Sequence, residues 1–362
     1  MWFNEGLLIV MCLFMVIGAV DHYVLHNRLS LGEHFREAFM MMGPLALAMI
    51  GIISLAPVLA ELLAPVVVPV FEWFGADPSM FASMILAIDM GAYPLSKSLA
   101  SSEDAAIFSW AFLGTMVGPT LVFTIPVALS VVQQKDRPFF AKGILIGVMT
   151  IPAGVLTGGA VAGYEWGWML TNLIPTIILS FFIAIGLAFF TNATIRVFSM
   201  FGKGVEYVVI VGLVTVTIQT LTEIEFLPGI APLSEGAIIV AKITVTLAGA
   251  YPLVAFINQK AEKRFSRWGQ KAGLNATSMT GLIASLAHAI PMLGTMKDMD
   301  ERGKVMNAAF AVSGAFVAGS HLAFVAGVEK EMILPVIIGK LTAGVLAVGV
   351  ALLVTKDLKH ND

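Results

Sequence analysis

The sequence predicts an all-α polytopic integral membrane protein of about 11 transmembrane helices, within a range of roughly 9 to 12, since a spanning helix takes about 20 apolar residues. Some of these helices are expected to be broken or re-entrant, and the whole to carry a two-fold internal repeat. Three observations lead there. Hydrophobic residues make up 58% of the 362 positions and charged residues only 12%, a composition that belongs in a bilayer. The apolar residues fall into long uncharged runs. Finally, the string Gly-Ala-Tyr-Pro-Leu at residues 91–95 returns at residues 249–253. Each copy sits in an apolar segment that is followed by a polar stretch, a second apolar segment and an Ile-Pro pair, Ile125-Pro126 or Ile290-Pro291. Paired hydrophobic segments interrupted by Gly and Pro mark the binding site of many membrane carriers. The chain is therefore expected to form a single integral membrane transport domain over residues 1–362, with one repeat over about 38–163 and the other over about 169–355.

Residues 6–20 form the first candidate span and residues 38–60 the second. No Lys or Arg precedes the first and no small-residue cleavage site follows it, so it reads as a retained helix and not a signal peptide. Between the two lie His22, His26, Arg28, Glu33, His34, Arg36 and Glu37. No metal-ligand spacing recurs among them, which favours a solvated interfacial loop. Residues 62–71 carry Pro65 and Pro69 and run into Glu72 and Trp73, which makes them doubtful as a span. A broken helix is expected at residues 78–95, then a polar link at 96–104. The uncharged run 105–134 follows, interrupted at Gly118-Pro119 and Pro126.

Residues 143–163 contain glycines at GxxxG spacing, the pattern of a helix packed closely within a bundle. Residues 169–190 and 205–222 are further spans, followed by a Pro-rich turn at 227–232. The second repeat continues through 235–257, a basic loop at 260–271, the run 272–296 broken by Pro291, and two closing spans at 305–328 and 332–355.

Most of the 21 Lys and Arg residues fall in loops that alternate along this order. Short cytoplasmic loops collect these residues, so the N-terminus is expected outside and the C-terminus in the cytoplasm. Two arrangements fit those charges. If 62–74 and 105–134 both span, the two Gly-Ala-Tyr-Pro-Leu segments run in opposite directions; if neither does, nine helices remain and the segments run parallel. Inverted repeats are common among secondary transporters, which favours the first. In either arrangement residues 272–296 must dip in and return to the same side, because basic loops flank them.

Asp89 is the leading candidate for chemistry. An ionisable group among Met, Ile, Leu and Ala costs at least about 2.5 kcal/mol in a bilayer and marks a transport or ion path. It stands just before Gly91 and Pro94, where a helix break would free carbonyls to join it as ligands. The competing reading is a buried carboxylate paired with Lys242 or Lys340. Those lysines are better read as snorkelling to the surface. Tyr93 and Tyr251 hold equivalent places in the two copies, and Trp110 follows the first. Their faces could attract an ammonium group, or simply pack. His288 and His321 each adjoin an expected backbone irregularity, Ile290-Pro291 and Gly319-Ser320, and read equally well as pathway residues or as neutral hydrogen-bonded ones. Thr115, Thr120, Thr124, Asn172 and Thr176 could line a polar path or bond back to their own helices.

Enzyme signatures are missing: there is no His-Glu-x-x-His, no P-loop, no dinucleotide glycine fingerprint and no Gly-x-Ser-x-Gly. No catalytic residue, cofactor or metal site is expected. The net charge of −3 with scattered basic residues implies no nucleic-acid partner, and the single cysteine, Cys12, excludes an intramolecular disulfide.

Several strings in order resemble the bacterial ethanolamine permease family. They are residues 40–56 (Met-Met-Met-Gly-Pro-Leu-Ala-Leu-Ala-Met-Ile-Gly-Ile-Ile-Ser-Leu-Ala), Gly75-Ala76-Asp77-Pro78, residues 89–95, residues 114–129, residues 290–300 and His321-Leu322. Two positions depart from the pattern: Ile88 stands where Asn is expected before Asp-Met-Gly, and Ser320 where Asp is expected before His-Leu. The resemblance implies a facilitator for protonated ethanolamine in the bacterial cytoplasmic membrane, with the bilayer as its surroundings and a homo-oligomer left open. The expected substrate contacts are Asp89, Gly91, Tyr93, Trp110, Thr120, Thr124, Asn172, Tyr251, His288 and His321. A proton- or sodium-coupled carrier of another small polar or cationic solute is the alternative.

Overall fold

A computed structural model describes residues 2–271 and 274–356. Its described residues fold entirely into helices and connections, and eight of the helical stretches are long and apolar enough to cross a bilayer. The first, α1 (Trp2–Tyr23), leads through the short α2 (Gly32–Met40) into α3 (Met42–Trp73). Residues 62–71 are thus the last turns of α3 and not a separate span. Pro57, Pro65 and Pro69 are all accommodated inside it, as membrane helices accommodate prolines when neighbouring groups satisfy the freed carbonyls. This removes one of the expected 11 spans.

The first irregular element is a helical hairpin, not a broken spanning helix. Its arms, α4 (Ser79–Ile85) and α5 (Ala92–Leu99), pack against each other. The tip between them is extended at Leu86 and Ala87, makes a 3-10 turn over Ile88–Met90, and reverses at Gly91, whose φ of 112° suits glycine. One aspartate ties the base. Asp77 accepts hydrogen bonds from the backbone N–H groups of Ser79 (2.9 Å) and Ser101 (3.0 Å). Within the hairpin, Ser83, Ser96 and Ser109 form a buried hydroxyl cluster with Oγ···Oγ separations of 2.8–3.0 Å. Ser109 also donates to the Ser79 carbonyl at 2.7 Å. A fully satisfied buried network of this kind specifies one arrangement. It fixes the arms to the following helical path, which runs through α6 (Glu103–Phe108), α7 (Gly114–Pro119) and α8 (Ile125–Val131) with π-helical turns at Ser109–Leu113 and Thr120–Thr124.

The next helices are α9 (Arg137–Ala162), α10 (Trp166–Phe189), α11 (Thr191–Thr222) and α12 (Leu233–Lys271). The expected close packing of α9 is present: a Cβ at Gly154 would press on the Gly339 carbonyl. In α12 the helix continues through Pro252 and on to Lys271. The second Gly-Ala-Tyr-Pro-Leu copy is therefore unbroken, and residues 260–271 are helical instead of a loop.

A second hairpin lies within the run expected to return, residues 272–296, of which 272 and 273 fall outside the described residues. Its arms are α13 (Ala276–Ala287) and α14 (Ala289–Thr295), and its tip is His288, held extended at φ −156° and ψ 135°. Its base is also tied by an aspartate. Asp300 accepts from the Asn275 N–H at 3.0 Å, the Ser278 hydroxyl at 2.7 Å and the Gly303 N–H at 2.9 Å. The expected span 305–328 is broken in two, α15 (Glu301–Ser313) and α16 (Ser320–Val328). Backbone between them docks on the hairpin: Phe316 N–H donates to the Ser285 carbonyl (3.0 Å) and Ala318 N–H to that of Leu286 (2.9 Å). Those bonds satisfy irregular backbone inside the bundle. The chain closes with α17 (Ile333–Val354), which packs along α9 and α15.

Candidate functional site

The two hairpin tips and the break between α15 and α16 meet around one cavity of about 910 Å³. Asp89 reaches it from the first tip, His288 from the second, and Phe316, Ser320 and His321 from the α15–α16 break; Tyr251 enters from α12. Residues scattered over more than two hundred positions of sequence are thereby collected by three interruptions of helical structure. The far wall is apolar, from α3, α8 and α11, and the mouth reaches the exposed Lys203 and Glu206 on α11.

Each polar group is positioned by a local constraint. Asp89 is half-buried and, among the described residues, forms no ion pair. His288 Nδ1 accepts from the Ile290 N–H at 3.2 Å, which leaves Nε2 as the protonated nitrogen of a neutral ring. His321, 2% exposed, is held from behind. Lys340 donates to its Nδ1 at 3.3 Å and to the Thr115 carbonyl at 2.7 Å. That carbonyl lacks its usual helical partner because residue 119, four positions on, is a proline without an N–H. Between the imidazoles stands Phe316, with ring centroids 5.0 Å from His288 and 4.8 Å from His321. Its φ of 61° is a costly conformation for an aromatic residue, and such conformations gather at functional sites. Phe123 lies 5.8 Å from Phe316 and 6.0 Å from His288.

Four expected contacts, Asp89, Tyr251, His288 and His321, line the cavity, and the other six do not. Gly91 makes the reversal behind the tip. Tyr93 and Trp110 pack edge-to-face at 5.3 Å, with Phe324 against Tyr93 at the same distance, in an aromatic cluster outside the cavity wall. Thr120 bonds back to the Met116 carbonyl at 2.8 Å, Thr124 is buried outside the wall, and Asn172 accepts from the Asp77 N–H at 2.7 Å, bracing the first hairpin. Lys340 neither snorkels, being 1% exposed, nor pairs with Asp89. Lys242 is exposed. Sequence reasoning missed Phe123, Phe316 and the support that Lys340 gives His321. The glycines at 314 and 319 flanking Phe316 were the available signal.

These features define a polytopic membrane protein whose cavity is walled by hairpin tips and a broken helix, the architecture in which membrane proteins hold polar groups inside a bundle. A family model described as "Ethanolamine utilisation protein, EutH" matches residues 3–354. The chain is 48% identical over 359 residues to a probable ethanolamine permease EutH of Listeria monocytogenes, covering 99% of this chain and 96% of the relative. It is 40% identical over 395 residues to a probable ethanolamine permease EutH of Salmonella typhimurium, covering 99% and 97%. An uncharacterized protein of Bacillus subtilis, YxeR, is 51% identical over 348 residues, covering 96% and 94%. No solved structure matches. The chain belongs to the ethanolamine utilisation protein EutH family.

Proposed function

We propose that this protein is a permease for protonated ethanolamine in the bacterial cytoplasmic membrane and that the cavity between the hairpin tips is its binding site. The observation that carries the reading is Asp89, a carboxylate with no ion pair among the described residues, lining the same cavity as two imidazoles and the rings of Tyr251, Phe123 and Phe316. Ethanolamine is a primary alkylamine; like the Lys side chain, whose pKa is about 10.4, it is almost wholly cationic at neutral pH. The cation crosses hydrocarbon poorly. In the cavity Asp89 takes the ammonium group, Tyr251 and Phe316 give aromatic faces to the same charge, and His288 and His321 offer ring nitrogens to the hydroxyl.

The wider architecture supports transport. We read α3 to α9 and α12 to α17 as two inverted halves of one transport domain. Each runs helix, hairpin, interrupted helix, helix; the first half is close to the repeat expected at about 38–163, whereas the second begins at Leu233 and not near 169, which leaves α10 and α11 between the halves. We take the N-terminus as outside, the C-terminus as cytoplasmic and the mouth at Lys203 as cytoplasmic, a reading that the distribution of Lys and Arg supports.

Reconstituted vesicles at acidic external pH test the substrate: radiolabelled ethanolamine should enter saturably and well above the leak into protein-free vesicles. Entry equal to that leak, with the protein shown to be folded, would rule the substrate out.

A further inference from the structure

Beside the mouth of the large cavity lies a second one of about 450 Å³, lined by Gln134, Arg137, Asn192, Arg196, Ser199, Met200 and Lys203. Three cationic side chains converge there, and no carboxylate is among its lining residues. Asp136, next to Arg137 in sequence, is 2% exposed and commits one oxygen to Lys304 at 2.8 Å. The cationic character follows from the helices. Asn192, Arg196, Ser199 and Lys203 recur along α11 at the three- and four-residue spacings that share a helix face. Arg137, the first residue of α9, brings a third cation to the same pocket. Polar amides from Gln134 and Asn192 complete the ring.

We propose that this pocket binds a phosphate-bearing anion. Guanidinium forks match phosphate oxygens in two parallel hydrogen bonds. Val197, adjoining on α11, is apolar and 61% exposed, and Phe189 and Phe190 at the end of α10 are exposed too. A charged ring bordered by exposed apolar side chains fits a phospholipid, with the phosphate in the pocket and acyl chains along the helices, as in basic pockets between membrane helices. Free phosphate shares the headgroup chemistry without the chains. Ser199 and Lys203 line both cavities, so a bound anion would sit at the wall of the mouth.

Native mass spectrometry of the full chain in non-ionic detergent separates these sources and is independent of transport. Phosphatidylglycerol, phosphatidylcholine and inorganic phosphate are added in turn to the unmutated protein, to Arg196→Gln/Lys203→Gln, and to a control altered at two exposed arginines elsewhere, Arg28→Gln/Arg36→Gln. One phosphatidylglycerol should be retained about tenfold more tightly than phosphatidylcholine, a preference lost in the pocket variant and kept in the control and in Arg196→Lys. Binding of inorganic phosphate that competes with the lipid and needs the same pair would support the site with free phosphate as its occupant. Equal retention of both lipids with no phosphate binding, or an undiminished preference in Arg196→Gln/Lys203→Gln, would overturn it.

Discussion

Lys340 Nζ stands 3.3 Å from His321 Nδ1 and 2.7 Å from the Thr115 carbonyl oxygen. A fully buried amine thus joins α17 both to the cavity histidine and to a carbonyl orphaned by Pro119. Replacing it by methionine keeps the volume and strands both acceptors, at about 1–3 kcal/mol for a buried group left unpaired. Lys340→Met should lower thermal stability measurably and cut the maximal uptake rate by about tenfold, because His321 loses its orientation. Differential scanning fluorimetry and vesicle uptake read the two effects. Uptake at the wild-type rate would show that the amine serves packing alone.

The hairpin bases carry a second prediction. Asp77→Ala removes two charge-assisted bonds to backbone N–H groups, each worth about 1.5–3 kcal/mol. Stability should fall, and uptake with it, since Asp89 sits at the tip of the hairpin whose base Asp77 ties. Asp77→Asn, which keeps one acceptor oxygen, should recover part of both.

Gly118 gives a steric test of the first tip. A Cβ there would collide with the Leu86 carbonyl, and backbone on neither side gives way cheaply. Gly118→Ala should push the tip and Asp89 out of place, with the ethanolamine KM rising at least about fivefold in uptake assays. An unchanged KM would mean that the tip does not position the substrate.

Ser320 allows a gain of function. It lines the cavity beside His321, at the position where the family pattern is expected to carry aspartate. Ser320→Asp adds a second carboxylate near the proposed ammonium site, and a nearby opposite charge should tighten cation binding by several-fold. A concentration series of ethanolamine uptake measures this as a fall in KM. The other departure, Ile88, is fully buried in the tip and outside the cavity wall, so Ile88→Asn should lower thermal stability by burying an amide without a partner, a loss that differential scanning fluorimetry reads.

How much of this was legible in the sequence follows from the kind of signal. Asp89 stood out because an acid beside Gly and Pro inside an apolar run has few structural uses, and it lies at a hairpin tip on the cavity; His288, which read equally well as a structural residue, lies at the other tip. The return of residues 272–296 followed from charge on both flanks. Residues 62–71 misled because Pro65 and Pro69 read as helix breakers, whereas a membrane helix tolerates prolines whose freed carbonyls find partners. The repeated Gly-Ala-Tyr-Pro-Leu misled for the same reason: Pro252 leaves α12 continuous, and the second hairpin lies further along the chain. Phe316 was missed because aromatics are ordinary in membrane bundles, although the glycines at 314 and 319 marked an irregularity around it. The link from Lys340 to Thr115 crosses 225 positions, and periodicity carries no information at that range.

The central claim is that Asp89 holds the ammonium group of ethanolamine. Equilibrium binding of radiolabelled ethanolamine to purified protein, by scintillation proximity, tests it without the complications of transport. The account predicts saturable binding to the wild type and a loss of at least about tenfold in Asp89→Asn, which keeps the shape and removes the charge. Wild-type affinity in folded Asp89→Asn would contradict it and move the binding site away from the first hairpin tip.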